Sequence, residues 1–352
     1  MGAPADPKFR AQTIDDKIEI GYGVATGDVD GDGKPDILLA DKRQFVWYRN
    51  PTWEKFVLAE NLTPRDNVCI AAQDIDGDGK SEVAVGGDWD PSDRESSGAV
   101  FYLIAQAERT QKWEAVKLHA EPTVHRMRWM KLAEGGWGLI VAPLHGRGDN
   151  AGSRVLLYHV PADRRNPWKT EVLNESMHAT HNFAVVRSAL VLGGREGLVS
   201  IWNDGTRWIS QTLFAPDGGI GEVRDGFTKE YGFYATIEPM HGNRLVAYLY
   251  RPDRVAAGAD PVQLLLSDKL VEGHALACAQ LVPGGSDEIV VGWRGEGGGV
   301  RLFTAVDETL LKWRETVVAD KGIACEDLCL ADLNDDGKLD IVASGRATKN
   351  IV

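Results

Sequence analysis

Apolar residues along this chain come in short runs separated by tight polar loops. Gly23-Val-Ala-Thr26 precedes one acidic loop and Ile37-Leu-Leu-Ala40 follows it; Ile70-Ala-Ala-Gln73 and Val83-Ala-Val-Gly86 flank a second. Runs this short, bounded by Gly and Asp, predict strands. A second recurring segment opens on an aromatic residue: Trp53-Glu-Lys-Phe-Val-Leu, Trp113-Glu-Ala-Val-Lys-Leu, Trp168-Lys-Thr-Glu-Val-Leu, Trp208-Ile-Ser-Gln-Thr-Leu and Trp313-Arg-Glu-Thr-Val-Val. Phe9-Arg-Ala-Gln-Thr-Ile and Pro261-Val-Gln-Leu-Leu-Leu complete a set of seven, spaced by 44, 60, 55, 40, 53 and 52 residues. Each interval holds about four short strands, the size of a propeller blade. The pattern predicts an all-β, seven-bladed propeller over residues 8–352, with residues 1–7 a tail. Because the last unit stops at Asn350-Ile-Val, a Phe9–Ile14 strand is expected to complete it and close the ring.

Three loops are near-copies of one nine-residue sequence, and they set the phase of the repeat. They are Asp28-Val-Asp30-Gly-Asp32-Gly-Lys34-Pro-Asp36, Asp74-Ile-Asp76-Gly-Asp78-Gly-Lys80-Ser-Glu82 and Asp332-Leu-Asn334-Asp-Asp336-Gly-Lys338-Leu-Asp340. Oxygen side chains at positions 1, 3, 5 and 9, with the lysine's backbone carbonyl at position 7, suit calcium, which takes about six to eight oxygens. Position 12 holds Leu39, Val85 and Ala343 in place of the glutamate of an EF-hand, so these are loops between strands. The metal-free alternative is an Asp-Gly hairpin turn.

Composition narrows the function classes. A net charge of −13 argues against a nucleic-acid partner. No apolar run reaches the roughly 18 residues of a membrane span, and the first seven residues carry no apolar signal-peptide core. Structural calcium loops need calcium near millimolar, which points to a periplasmic or secreted location. Cys69, Cys278, Cys325 and Cys329 read as buried small residues.

Register then gathers the chemistry. In a blade whose acidic loop joins its first two strands, the start of the first strand and the end of the second lie on the opposite face. Six residues before loop position 1 stand Tyr22, Val68, His125, His181, His274 and Glu326, with Glu222 the best match in the fifth unit. A second ring, at the end of the second strand, reads Lys42, Asp88, His145, Arg195, His241, Arg294 and Arg346. With His178, these positions hold six of the eight histidines. Neutral imidazoles and carboxylates facing one cavity suit a divalent transition metal or magnesium, or acid/base chemistry. His181, Glu222, His241 and His274 are the expected axial ligands; His125, His145, His178, Glu326 and Asp327 are the acid/base candidates. Arg126, Arg147, Arg195, Arg294, Arg346 and Lys349 supply donors for an oxygen-rich ligand. Tyr22, Trp89 and Trp293 are available for sugar stacking. Units three to six, which lack the acidic loop, are expected to build the site, and units one, two and seven to be stapled by cations.

The acidic loops resemble FG-GAP/VCBS-type propeller repeats. Val124-His-Arg-Met-Arg-Trp129, Ala142-Pro-Leu-His-Gly-Arg-Gly148, Met177-His-Ala-Thr-His-Asn-Phe183, Ile237-Glu-Pro-Met-His-Gly-Asn243, Glu272-Gly-His-Ala-Leu276, Gly292-Trp-Arg294 and Gly345-Arg-Ala-Thr348 resemble the propeller domain of the aldos-2-ulose dehydratase family and its bacterial relatives. That resemblance implies metal-assisted elimination of water from keto-sugars such as 1,5-anhydrofructose and glucosone. Family members from fungi carry cupin domains after the propeller; seven units here leave no residues for them. The expected activity is that of a carbon–oxygen lyase on a keto-sugar or oxidised glycoside. A non-catalytic carbohydrate- or protein-binding propeller is the alternative, and action on a uronate polysaccharide a further one.

Overall fold

A computed structural model describes residues 7–228, 230–251 and 261–352. Among them the chain forms seven antiparallel sheets, six of four strands and one of three, each built from consecutive strands. The innermost strands are Gly23–Gly27, Cys69–Gln73, Val124–Lys131, Thr180–Val186, Glu222–Phe227, Gly273–Ala279 and Cys325–Ala331. Each packs beside the innermost strand of the next blade, and the last returns to the first, so the sheets close into a seven-bladed propeller. The aromatic-led segments are the outermost strands, as in Glu114–Leu118, Lys169–Asn174 and Trp313–Asp320.

The core is divided into layers between neighbouring blades, and the second strands show why. In Asp36–Ala40, Ile37 and Leu39 pack toward blade 7 while Leu38 and Ala40 pack toward blade 2. A strand covered on both faces needs apolar residues at every position, which explains continuous runs where a half-exposed strand would alternate. Seven apolar clusters fill the seven seams. Three tryptophans brace the outer strands: the indole N–H of Trp113 donates to Arg109 O at 3.0 Å, that of Trp168 to Arg164 O at 3.1 Å and that of Trp313 to Leu310 O at 2.8 Å.

Two expectations need correction. Residues 9–13 form no strand; the N-terminal segment pairs by backbone with blade 7 where Ile14 N donates to Ile351 O and Ile351 N donates to Asp15 O, both at 2.8 Å. The tail expected over residues 1–7 lies outside the described residues except for Pro7. All four cysteines are free, but only Cys69 and Cys325 are buried; Cys278 and Cys329 are half-buried. No helix among the described residues is long and apolar enough to cross a membrane.

Each acidic loop joins the first two strands of its blade. Its position-1 carboxylate accepts loop amides: Asp28 from Gly31 and Gly33, Asp74 from Gly77 and Gly79, Asp332 from Asp336 and Gly337. Gly33, at φ 87°, adopts the left-handed conformation the wrap requires. Position 9 has a role the sequence did not disclose. Asp36, Glu82 and Asp340 each accept the amide of position 2, Val29, Ile75 and Leu333, at 2.8–3.0 Å. Blade 6, whose loop has lost the other acids, keeps this clasp: Glu288 accepts from Leu281 and Val282.

Candidate functional site

At the end of the central axis opposite the acidic loops lies a pocket of about 390 Å³. Tyr22, His125, His181, His274 and Glu326 enter it from the starts of inner strands, and His241, Arg294 and Arg346 from the ends of second strands. Trp89, Asp66 and Asp90 complete one wall.

The imidazoles of His181, His241 and His274 bring nitrogens within 4.8 Å of one another. Second partners fix two of the rings. His181 Nδ1 lies 2.8 Å from Gly221 O, and His274 Nδ1 2.6 Å from Glu326 O. A carbonyl only accepts, so in each ring Nδ1 carries the proton and Nε2 presents its lone pair to the pocket. Metal-binding histidines are held in this way by their second nitrogen. His241 Nε2 stands 2.6 Å from His181 Nε2. Burial, with a neighbouring arginine or imidazole, disfavours the charged form of His274 and His241. His274 is pushed well below the usual histidine range by burial and then by Arg294, and His241 down to about 3 by burial and then by His181. Three imidazole nitrogens facing one point fit a divalent transition metal better than magnesium, which prefers oxygen.

Glu222 falls outside that trio. Its Oε1 lies 3.2 Å from His181 Nδ1, the ring edge turned away from the other histidines, and its Oε2 accepts from Asn182 Nδ2 at 2.6 Å. It buttresses His181 and is not placed as a ligand.

His125 is 6% exposed and stacks on Trp89 at 4.9 Å, edge-on to His181 at 4.8 Å. Both its ring nitrogens are buried without a protein hydrogen-bond partner among the described residues. Burial, then the charge of Arg126, depresses its basicity strongly. Opposite it, Arg294 Nη1 donates to both oxygens of Glu326 at 2.9 Å while its Nε reaches Glu272 at 3.2 Å. Arg346 lies over the Tyr22 ring at 5.1 Å, and burial raises the Tyr22 hydroxyl above its ordinary pKa.

Several expected residues lie elsewhere. Asp327 accepts from Val24 N and Leu328 N, both at 3.0 Å, and does not line the pocket. Arg126 is buried behind the histidines, with Nε and Nη2 unpartnered. Arg147 is tied to Glu95 O at 2.6 Å and lies 3.9 Å from Glu121. Lys349 is exposed and lines no described pocket. Trp293 packs under Arg301 at 4.9 Å and is not a platform. His145, His178 and Arg195 line a neighbouring depression. Neither Lys42 nor Asp88 reaches the axial pocket. The expectation that units three to six build the site is too narrow, because Tyr22, Trp89, Glu326 and Arg346 come from blades 1, 2 and 7. Asp66, Asp90 and Arg94 were missed; Asp90 and Arg94 sit in a long connection of unit two, whose 60-residue interval was the one available sign.

In the first two acidic loops, carboxylate oxygens of Asp28, Asp30 and Asp32, and of Asp74, Asp76 and Asp78, lie within 4.8 Å of each other. One oxygen of Asp30 is engaged by Arg49 Nε at 3.0 Å. Lys34, Lys80 and Lys338 donate their amides to Asp32, Asp78 and Asp336.

The FG-GAP-like repeat family matches residues 28–85, the first two acidic loops. Aldos-2-ulose dehydratase from Phanerodontia chrysosporium is 23% identical over 358 aligned positions, covering 88% of this chain and 39% of that protein. The chain thus spans about two fifths of that relative's length. Among solved structures, one of the mitotic checkpoint complex aligns at TM-score 0.60 and 12% identity, over 100% of this chain and 95% of that one. The WD40 β-propeller domain of Doa1 aligns at 0.58 and 11%, over 97% and 94%. At these identities the structural likenesses speak to the fold alone.

Proposed function

We propose that this propeller is a carbon–oxygen lyase that eliminates water from a keto-sugar or oxidised glycoside. The observation that carries the reading is the convergence of His181, His241 and His274 nitrogens beside an unpartnered neutral imidazole, His125. The likeness to a dehydratase supports it.

His181, His241 and His274 would hold a divalent cation, which supplies Lewis-acid polarisation of the substrate's carbonyl oxygen. His125 accepts the proton from the carbon next to that carbonyl, its free nitrogen being the base without a competing partner. The α C–H bond breaks, a C=C bond forms and the β C–O bond breaks. Tyr22, kept protonated by burial, gives its proton to the departing oxygen, which leaves as water. Proton transfer from the His125 imidazolium through solvent restores both groups. Glu326, oriented by Arg294, accepts from sugar hydroxyls, Arg346 donates to them, and Trp89 offers an apolar face to the ring. The acidic loops of blades 1, 2 and 7 take calcium as structural clasps, consistent with an extracytoplasmic location.

The test is turnover of 1,5-anhydrofructose, glucosone and 3-keto-glucosides, followed by ultraviolet absorbance of the enone product. Activity that disappears in His125→Ala with the fold intact supports the reading. Trp89 favours the rival of a carbohydrate-binding propeller without chemistry; saturable sugar binding with no turnover and no bound transition metal would establish that instead.

A further inference from the structure

Beside the axial pocket lies a second depression of about 360 Å³, lined by Arg94, His145, Asp149, His178, Arg195 and Glu196. The two cavities adjoin along the chain, since Leu144 lines the axial pocket and His145 its neighbour.

The polar groups here are unevenly matched. Two acids outside the lining are already engaged: Glu121 by Arg154 at 2.6 Å, Asp93 by Arg65 at 2.7 Å. Glu196 spends Oε1 on His178, whose Nδ1 and backbone N donate to it at 2.9 and 3.0 Å. Its Oε2 is buried with no hydrogen-bond partner. Among the described residues, no carboxylate lies within ion-pair distance of the Arg94 or Arg195 guanidinium. The depression therefore presents two cationic forks outside any ion pair and one free buried acceptor, with Asp149 an exposed carboxylate in its lining.

The backbone beneath these side chains is fixed. Gly148 N donates to Arg94 O at 3.2 Å, and Arg147 Nη1 to the adjoining Glu95 O at 2.6 Å. Arg195 N donates to Ala179 O at 2.8 Å, and Ala179 pairs with His145 across the two blades. Three blades thus hold the groove in place before any ligand arrives, so little ordering cost falls on binding.

We infer that this depression is a subsite for an acidic sugar, its carboxylate or phosphate held between Arg94 and Arg195 and a ring hydroxyl donating to Glu196 Oε2. Guanidinium forks match the planar oxygens of either anion, and a lone buried carboxylate oxygen requires a donor that a sugar hydroxyl supplies. The sugar identity rests on the proposed function; the anion site does not.

Isothermal titration of the full chain with inorganic phosphate, glucuronate, glucose 6-phosphate and methyl glucoside tests it. Saturable binding of the anionic probes is expected, with methyl glucoside weaker. Arg94→Ala and Arg195→Ala should each weaken glucuronate and phosphate by about tenfold or more. Glu196→Gln should weaken glucuronate and leave inorganic phosphate unchanged. Preference for glucuronate assigns a carboxylate ligand, and preference for glucose 6-phosphate a phosphate ester. Failure of every anionic probe to bind saturably, or binding untouched in both arginine variants, overturns the inference. Intact anion binding by a protein inert toward keto-sugars would count against the lyase and leave the subsite standing.

Discussion

His181 and His241 face each other Nε2 to Nε2 at 2.6 Å. Two bare lone pairs repel at that separation, so a proton or a cation belongs between them. The His181 proton is committed to Gly221 O through Nδ1, which leaves its Nε2 as a donor pair for either. His274 points a third such nitrogen at the same place. The pair is thus the geometric heart of the pocket.

Replacing either partner should remove both metal and chemistry. His181→Ala and His241→Ala are each expected to lower bound transition metal, by elemental analysis, and to cut elimination rate by about a hundredfold or more. Wild-type metal content together with wild-type rate in both variants would take the cluster out of the mechanism.

Arg294 spans two carboxylates at once, Glu272 through Nε and Glu326 through Nη1. A lysine ammonium cannot occupy both positions. Arg294→Lys should therefore behave like Arg294→Ala, with kcat/KM down by about tenfold or more. Full rescue by lysine would show that only local charge matters.

The first acidic loop meets the second across one seam, and the seventh-blade loop meets a turn of blade 1 across the ring closure. Ser81 N of the second loop donates to Asp28 O of the first at 2.6 Å, and Asn50 Nδ2 donates to Leu333 O of the seventh-blade loop at 2.7 Å. If calcium fills these loops, chelation should lower Tm, since ligand at about a hundredfold its Kd contributes ~2.7 kcal/mol per site. Asp32→Ala should reduce calcium stoichiometry by one. A melting curve indifferent to both chelator and added calcium would identify the loops as metal-free hairpins.

Glu288 gives a pH signature free of any metal. Burial raises its pKa above the ordinary glutamate value of 4.5. A carboxyl whose folded pKa is raised contributes most stability below its unfolded pKa and loses it as pH climbs through the folded one. Glu288→Gln keeps an acceptor for Leu281 and Val282 but carries no charge. The variant and the wild type should melt together near pH 4, and the variant should gain about 1–2 °C by pH 7. A variant less stable at pH 7 would mean the charge strengthens the clasp by more than its burial costs.

Much of this was readable from the chain. Continuous apolar runs such as Ile37-Leu-Leu-Ala40 report strands covered on both faces, and the three acidic loops fix the register that brings His125, His181, His274 and Glu326 to one axis. Repetition makes this possible, because equal spacing from equal loops places equivalent residues at equivalent points. What repetition cannot specify is where a side chain turns within its blade. Glu222 shares the register of the histidines yet lies behind His181, and Asp327, one residue past Glu326, is drawn to the Val24 amide across the seam. His145 and Arg195 share the second ring with His241 but line a different depression. The sequence determined the ring and its phase, because periodic burial is a property of the chain; the tertiary structure decided which groups meet, because hydrogen bonds between blades join residues whose separation in sequence carries no sign of the contact.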